Sequence, residues 1–341
     1  MAEMTTAWSV DHSAYPVTGP ASVQLEFLVR YAVLAPSTHN TQPWLFRVRG
    51  DSLELFADRG RALPVCDPED RELVISCGAA LGIAQLAARN FGYEGAIELL
   101  PAGGHPDLLA RLRLGSRRAP DAAEARRFRA IPDRRTTRTA FATNEIPIET
   151  LATLQRLAAH RHATLVYANT TGDREAIAEL VAKADQLQMQ NPAFRAELAQ
   201  WLRPGHAPDG DGMSIASFGY RDNLSGAAAA VIRTFDLGAG IAARDRQLVA
   251  GSPVLALLFT DQDGPANWLR TGMALADILL EATAAGLQAA FLNQPVEIPE
   301  LRAGLGAIVG SRRIPQLLMR FGRGPKVPPS GRREVRLVIG G

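Results

Sequence analysis

Apolar positions at Val23, Phe27, Leu28, Tyr31 and Leu34 recur at helical spacing, which predicts an amphipathic helix over residues 23–34. A polar segment follows, Ala35-Pro36-Ser37-Thr38-His39-Asn40-Thr41-Gln42-Pro43-Trp44, in which Pro36-Ser37 ends the helix and Gln42-Pro43 forces an extended chain. The pattern then predicts strands over 45–48 and 53–56, joined by Gly50-Asp51 as a hairpin. A helix over 72–90 and short strands near 97–100 and 110–114 complete a first half. Residues 1–20 read as an irregular arm, and residues 115–121 as the junction between halves.

The second half repeats the order. Helix 148–159 leads into strand 163–168, and helix 175–190 follows. The continuous apolar run 253–259 reads as a buried strand. A helix over 267–285, a strand at 288–292, a short helix at 300–305 and strands at 316–321 and 336–339 close the chain. Residues 191–251 fit neither half and carry Pro204-Gly205, Pro208-Asp209-Gly210-Asp211-Gly212 and an Ala-rich stretch over 226–231. An insertion of this length fits a cover over a pocket and a passive surface excursion equally well.

The two long Ala-rich helices match without gaps. Gly78-Ala79-Ala80-Leu81, Leu86, Ala88 and Gly92 correspond to Gly272-Met273-Ala274-Leu275, Leu280, Ala282 and Gly286 at a constant offset of 194 residues. Both are apolar on more than one face, which predicts burial, and their glycines permit close backbone approach. We expect an internal pseudo-dimer with these helices at its centre, the halves spanning 21–120 and 121–341.

Composition narrows the function. The chain has 341 residues, 47% hydrophobic, enough for a sizeable core. A formal net charge of +2 supplies no field that would drive it onto nucleic acid or a membrane. Positive charge is nearly all arginine, Lys183 and Lys326 being the only lysines. Cys66 and Cys77 form neither a disulfide framework nor a metal-ligand spacing, so both read as reduced core residues. With no basic-then-apolar leader and no long apolar run, the expected location is the cytoplasm.

Two segments hold candidate chemistry. In Arg134-Arg135-Thr136-Thr137-Arg138 an extended chain points Arg134, Thr136 and Arg138 the same way, which suits a phosphate dianion, though taken alone the segment reads first as a solvated basic turn. Arg332-Arg333 could add charge. Asn40 and Gln42 each offer a donor and an acceptor, suited to a ligand with amide edges or to satisfying their own loop. Other chemistries fit poorly. Gly304-Leu305-Gly306 lacks the third glycine and strand context of a dinucleotide fingerprint. His160 and His162 lack zinc partners, and Tyr220 occupies the twelfth position of a calcium-like loop from Asp209. No metal site is expected.

Ala-Pro-Ser-x-x-Asn-x-Gln-Pro-Trp resembles the hallmark of the FMN-dependent nitroreductase family, and Arg134–Arg138 resembles its Arg-Arg-Ser-x-Arg motif. Residues 272–287, Phe291 to Pro295, and 315–322 resemble its central helix and final strand. The two motifs lie in different halves, as in the Acg-like tandem branch, whose members are pseudo-dimers with a lid over the flavin. The resemblance implies an α+β nitroreductase-like fold, duplicated in one chain, with 191–251 as the lid. It implies one FMN per chain, on a pseudo-dimeric monomer or weak homodimer. Arg134, Arg135, Thr136, Arg138 and the Arg332-Arg333 tail would hold the phosphate. Pro36, Ser37 and Asn40 would meet the polar edge of the ring, and a backbone N–H around Asn293-Gln294 would face flavin N5. No side chain need act as acid or base. NADH or NADPH would deliver hydride, and a nitroaromatic, quinone or similar small molecule would accept electrons. The alternatives are FMN storage under a closed lid, and a flavin-free scaffold used only for interaction.

Overall fold

The computed structural model describes residues 7–203, 210–214 and 225–340. Within the insertion, Pro204-Gly205, Pro208-Asp209 and Tyr220 lie outside these residues. The class is α+β, as expected. Helix α1 (Ala21–Ala32) precedes the hairpin β1 (Trp44–Arg49) and β2 (Ser52–Ala57). Helix α2 (Arg71–Asn90) and strands β3 (Ala96–Leu99) and β4 (Leu108–Arg113) follow. The four strands form an antiparallel sheet in the order β1-β2-β4-β3.

After α3 (Ala122–Arg129), the second half runs through α4 (Ile148–His160), β5 (Thr164–Tyr167), α5 (Thr171–Gln190) and α6 (Pro192–Gln200). The short strands β6 (Leu202–Arg203) and β7 (Met213–Ser214) pair with each other. Helices α7 (Ser225–Thr234) and α8 (Gly238–Ala250) finish the insertion. Then come β8 (Val254–Thr260), α9 (Pro265–Ala284), β9 (Gln288–Phe291), α10 (Gln294–Glu297), α11 (Pro299–Ile308) and β10 (Ile314–Gly322). The second sheet is also antiparallel, in the order β5-β8-β10-β9. Counted along its own half, each sheet therefore has the strand order first, second, fourth, third.

The matched helices agree in more than sequence. Both α2 and α9 have 20 residues, and both ends correspond at the sequence offset. Each closes in the same way, with a left-handed glycine at Gly92 or Gly286. Tyr93 N–H donates to Ala88 O and Leu287 N–H to Ala282 O, the six-to-one bond of a Schellman cap. The helices cross backbone to backbone. A Cβ on Gly272 would stand 2.0 Å from Ile75 O, and one on Gly78 would stand 2.3 Å from Leu269 O. Around this crossing lies the main core, which takes Trp44, Phe46 and Leu55 from one half and Leu258, Met319 and Phe321 from the other. Helix α2 is long and apolar enough to pass for a membrane span, yet it is wholly buried in the fold.

Two sequence expectations need correction. The strand expected at 336–339 is a short 3-10 turn, Val335–Leu337, followed by a single parallel bridge between Ile339 and Phe46. Only the Phe46–Val338 and Gly340–Phe46 bonds form, so the tail stitches onto the edge strand β1 without extending the sheet. Residues 115–121 lead straight into α3, whose start is an Asp121/Glu124 capping box. Five helices within 121–297 (α3, α6, α7, α8 and α10) were not expected, although α7 covers the Ala-rich stretch 226–231.

Candidate functional site

The polar segment after α1 is strained and bolted down. His39, Asn40 and Gln42 adopt φ of 50°, 56° and 52°, left-handed values that non-glycine residues rarely take and that cluster at functional sites. Part of the segment satisfies itself, since Ser37 Oγ accepts from Gln42 N–H at 2.9 Å. The amides of Asn40 and Gln42 reach further. Asn40 Nδ2 donates to Gly212 O (3.0 Å) and to Gly331 O (3.2 Å), and its Oδ1 accepts from Arg332 (2.9 Å). Gln42 Nε2 donates to Gly210 O (2.8 Å), and its Oε1 accepts from Arg333 N–H (2.9 Å). The first-half loop thus clamps both the insertion and the C-terminal tail.

The arginine segment arrives from the second half. Its extended course lets Thr137 N–H donate to Ala289 O beside β9, with Thr137 wholly buried against Gln288. Alternation turns Arg134, Thr136 and Arg138 to the other side. Arg134 and Arg332 converge on the end of α1: Arg134 Nη2 donates to Leu34 O at 3.2 Å, and Arg332 Nη2 to Ala35 O at 3.1 Å. Arg135 donates to the carbonyls of Pro132 and Arg134. Arg138 approaches Met213 Sδ at 3.4 Å, and its carbonyl accepts from Arg244.

No ion pair joins Arg134, Arg135 or Arg332 to a carboxylate among the described residues. Arg134 and Arg332 are 3% and 8% exposed, and Arg134 Nε and Nη1 and Arg332 Nε have no partner. Burial, reinforced by Arg135, pushes the Arg134 guanidinium down to about 9. Burial and its two arginine neighbours hold Arg332 well below its usual range. Buried like charges with no carboxylate beside them are costly, and donors of this kind suit an anion. Arg333 differs from its neighbour. Consecutive side chains of an extended segment point apart, and Arg333 turns to Asp58 (3.2 Å) and Gln42 O (3.0 Å), so its charge is already matched.

Asn293 joins the site through Glu72. Glu72 accepts from Thr38 Oγ1 at 2.6 Å through one oxygen, and from Asn293 Nδ2 (3.2 Å) and Arg71 (2.9 Å) through the other. Asn293 Oδ1 accepts from Leu318 N–H, which fixes the turn after β9. The Gln294 side chain has its own partners: its Nε2 bridges Asp185 on α5 (3.0 Å) and Asp245 on α8 (2.9 Å), fastening the insertion to the body. Burial first, then the Asp245 charge, pushes the Asp185 carboxyl up to about 7, and burial raises Asp245 as well. Because the folded state binds the Asp185 proton more tightly than the unfolded chain, its stability penalty is absent below about pH 4. It grows as pH rises and is complete above about pH 7. Thermal melts of the wild type are therefore expected to fall over that window, and Asp185→Asn to flatten the fall; parallel profiles would contradict this.

Sequence reasoning did not find Trp8, Glu72 or the Asp185–Gln294–Asp245 bridge. Trp8 is 8% exposed and stacks against the arginine cluster. Each is an ordinary core or helix residue in the linear pattern, and only tertiary placement gives it a role. The described residues contain no group of His, Cys, Asp and Glu arranged for a metal ion, and Cys66 and Cys77 are both buried thiols.

No family model matches the chain. A Mycobacterium tuberculosis protein named as an NAD(P)H nitroreductase is 32% identical over 338 residues, covering 94% of each chain. Another, named as the NAD(P)H nitroreductase acg, is 31% identical over 323 residues, covering 91% of this chain and 93% of its own. The solved structure of the FMN-dependent nitroreductase NfnB from Mycobacterium smegmatis in complex with NADPH overlaps 60% of this chain and 89% of its own, at 20% identity and a TM-score of 0.39.

Proposed function

This chain belongs to the NAD(P)H nitroreductase family, in its Acg-like branch, and we propose that it is an oxidoreductase holding one FMN between its two halves. The observation that carries this is the buried arginine cluster with no carboxylate paired to it among the described residues, whose unpartnered N–H groups suit a phosphate monoester. Arg134 and Arg332 would hold the phosphate, with Arg135 and Thr136 beside them and Arg138 further along the same face. Pro36, Ser37 and Asn40 form the opposite wall, and Asn293, fixed by Glu72, closes the end nearest β9. Arg333 contributes by holding the tail in place.

When bound, FMN supplies hydride chemistry between reduced nicotinamide and a nitroaromatic, quinone or similar acceptor. The residues themselves bind, orient and exclude water. The matched helix caps, equal helix bounds and equal strand orders support an internal duplication with halves at 21–120 and 121–341. The two motifs, one per half, make one complete site, with none in the mirror position. A cytoplasmic location accords with redox work on small molecules.

One observation favours a second function, flavin storage. Residues 210–213 of the insertion are hydrogen-bonded to Asn40 and Gln42 and touch Arg138, as a closed cover over the site would. Anaerobic mixing with NADH or NADPH separates the two. Prompt bleaching of the flavin band is the expected outcome. Persistent yellow colour with both nucleotides would reject the oxidoreductase in favour of storage.

A further inference from the structure

We infer that Trp8, in the arm ahead of α1, is a positioning residue of the anion site, and that its indole face holds the arginine cluster ready for a phosphate monoester. The inference rests on the FMN assignment for the identity of the ligand but not for the existence of the anion site. The ring gathers three guanidiniums from two distant segments. Its centroid lies 4.2 Å from Arg135 Cζ, 4.7 Å from Arg332 Cζ and 5.9 Å from Arg134 Cζ. Its Nε1–H donates to Ser330 O at 2.8 Å, and Ser330 Oγ accepts from Arg332 Nη1 at 2.7 Å. The arm is thereby tied to the tail that carries Arg332.

The choice of partner matters. Three clustered cations need something to offset their mutual repulsion before a ligand arrives. A carboxylate would do so, but it would neutralise the charge and compete with an incoming anion. The electron-rich face of an indole attracts cations without carrying a net charge, and tryptophan is the strongest of the aromatic side chains in this role. Trp8 thus stabilises the array and leaves its full charge for the ligand. The orphaned Nε and Nη1 of Arg134 and Nε of Arg332 are the donors left over. A purely space-filling residue at this place would not need a π face turned to three cations.

The test compares wild type, Trp8→Phe and Trp8→Ala, each titrated with FMN, riboflavin and inorganic pyrophosphate. Flavin fluorescence reads the first two ligands, and the melting-temperature shift reads all three. Trp8→Ala should weaken FMN and pyrophosphate binding roughly tenfold, the scale of a desolvated cation–π contact. Riboflavin, which lacks the phosphate, should be unaffected, and Trp8→Phe should fall between. Unchanged FMN and pyrophosphate affinities in Trp8→Ala would overturn the inference, as would an equal loss of riboflavin, which marks a merely structural ring. Should Trp8→Ala fail to fold, Trp8→Phe decides, and wild-type affinity for FMN there overturns it. If wild type binds pyrophosphate but no flavin, the FMN assignment falls alone, and weaker pyrophosphate binding in Trp8→Ala still supports Trp8. If wild type binds neither, both fall.

Discussion

Replacing Arg134 and Arg332 together by glutamine is expected to weaken FMN retention at least about a hundredfold, since each charge-assisted contact contributes roughly 1.5–3 kcal/mol. The same double variant is expected to leave the flavin-free protein as stable as wild type, or more stable. The two signs come from one cause. Both guanidiniums are buried, their positive neighbours are each other and Arg135, and three of their N–H groups have no acceptor. Removing such charges relieves a desolvation cost in the empty protein and deletes the counterpart of the ligand's charge in the loaded one. Melting curves with and without FMN, set beside a flavin titration, check both halves at once. A variant that unfolds while wild type gains nothing from FMN would mean that the cluster serves the fold alone.

Gly272→Ala is expected to destabilise the chain by about 3 kcal/mol or more, on the scale of overpacking against parts that cannot yield. The added methyl would meet Ile75 O at 2.0 Å, Ala79 N at 2.6 Å and Gly78 C at 2.7 Å. All three are backbone atoms of α2, so relief requires the helices to separate along the centre of the main core. Gly304→Ala is the matched control. It lies within α11, where a Cβ would meet only Leu180 Cδ1 at 3.5 Å, and ordinary helix propensity should raise stability by about 0.5–1 kcal/mol. Denaturant unfolding distinguishes the two, and equal effects would contradict the close crossing. Because the crossing joins the halves, Gly272→Ala should also reduce flavin retention.

Much of this architecture was legible because it depends on periodicity and on glycine. The apolar strands, the hairpin at Gly50-Asp51 and the paired Ala-rich helices announce themselves in the order of apolar residues. Helix α3 was missed although Asp121 and Glu124 spell its capping box, because Phe128 is its one large apolar residue. Helices α6 and α8 were missed because each buries a single large apolar residue, Phe194 or Val249, among small or polar ones, which leaves no helical stripe to read. The site was legible as two motifs, not as a mechanism of assembly. The left-handed turns at His39, Asn40 and Gln42 violate local preference and are held by tertiary bonds to Gly210, Gly212 and Arg333. Likewise the opposite fates of Arg332 and Arg333 follow from which face of the tail meets α1, and spacing alone does not tell them apart.

The central claim is that two half-sites on one chain make a single flavin site. The most direct measurement is the molar ratio of FMN to chain, after saturation with FMN and removal of the excess, from flavin absorbance against protein mass. One FMN per chain is the expected result. A ratio near two would restore the mirror site and contradict the division of motifs, and a ratio near zero after saturation would remove the flavin altogether.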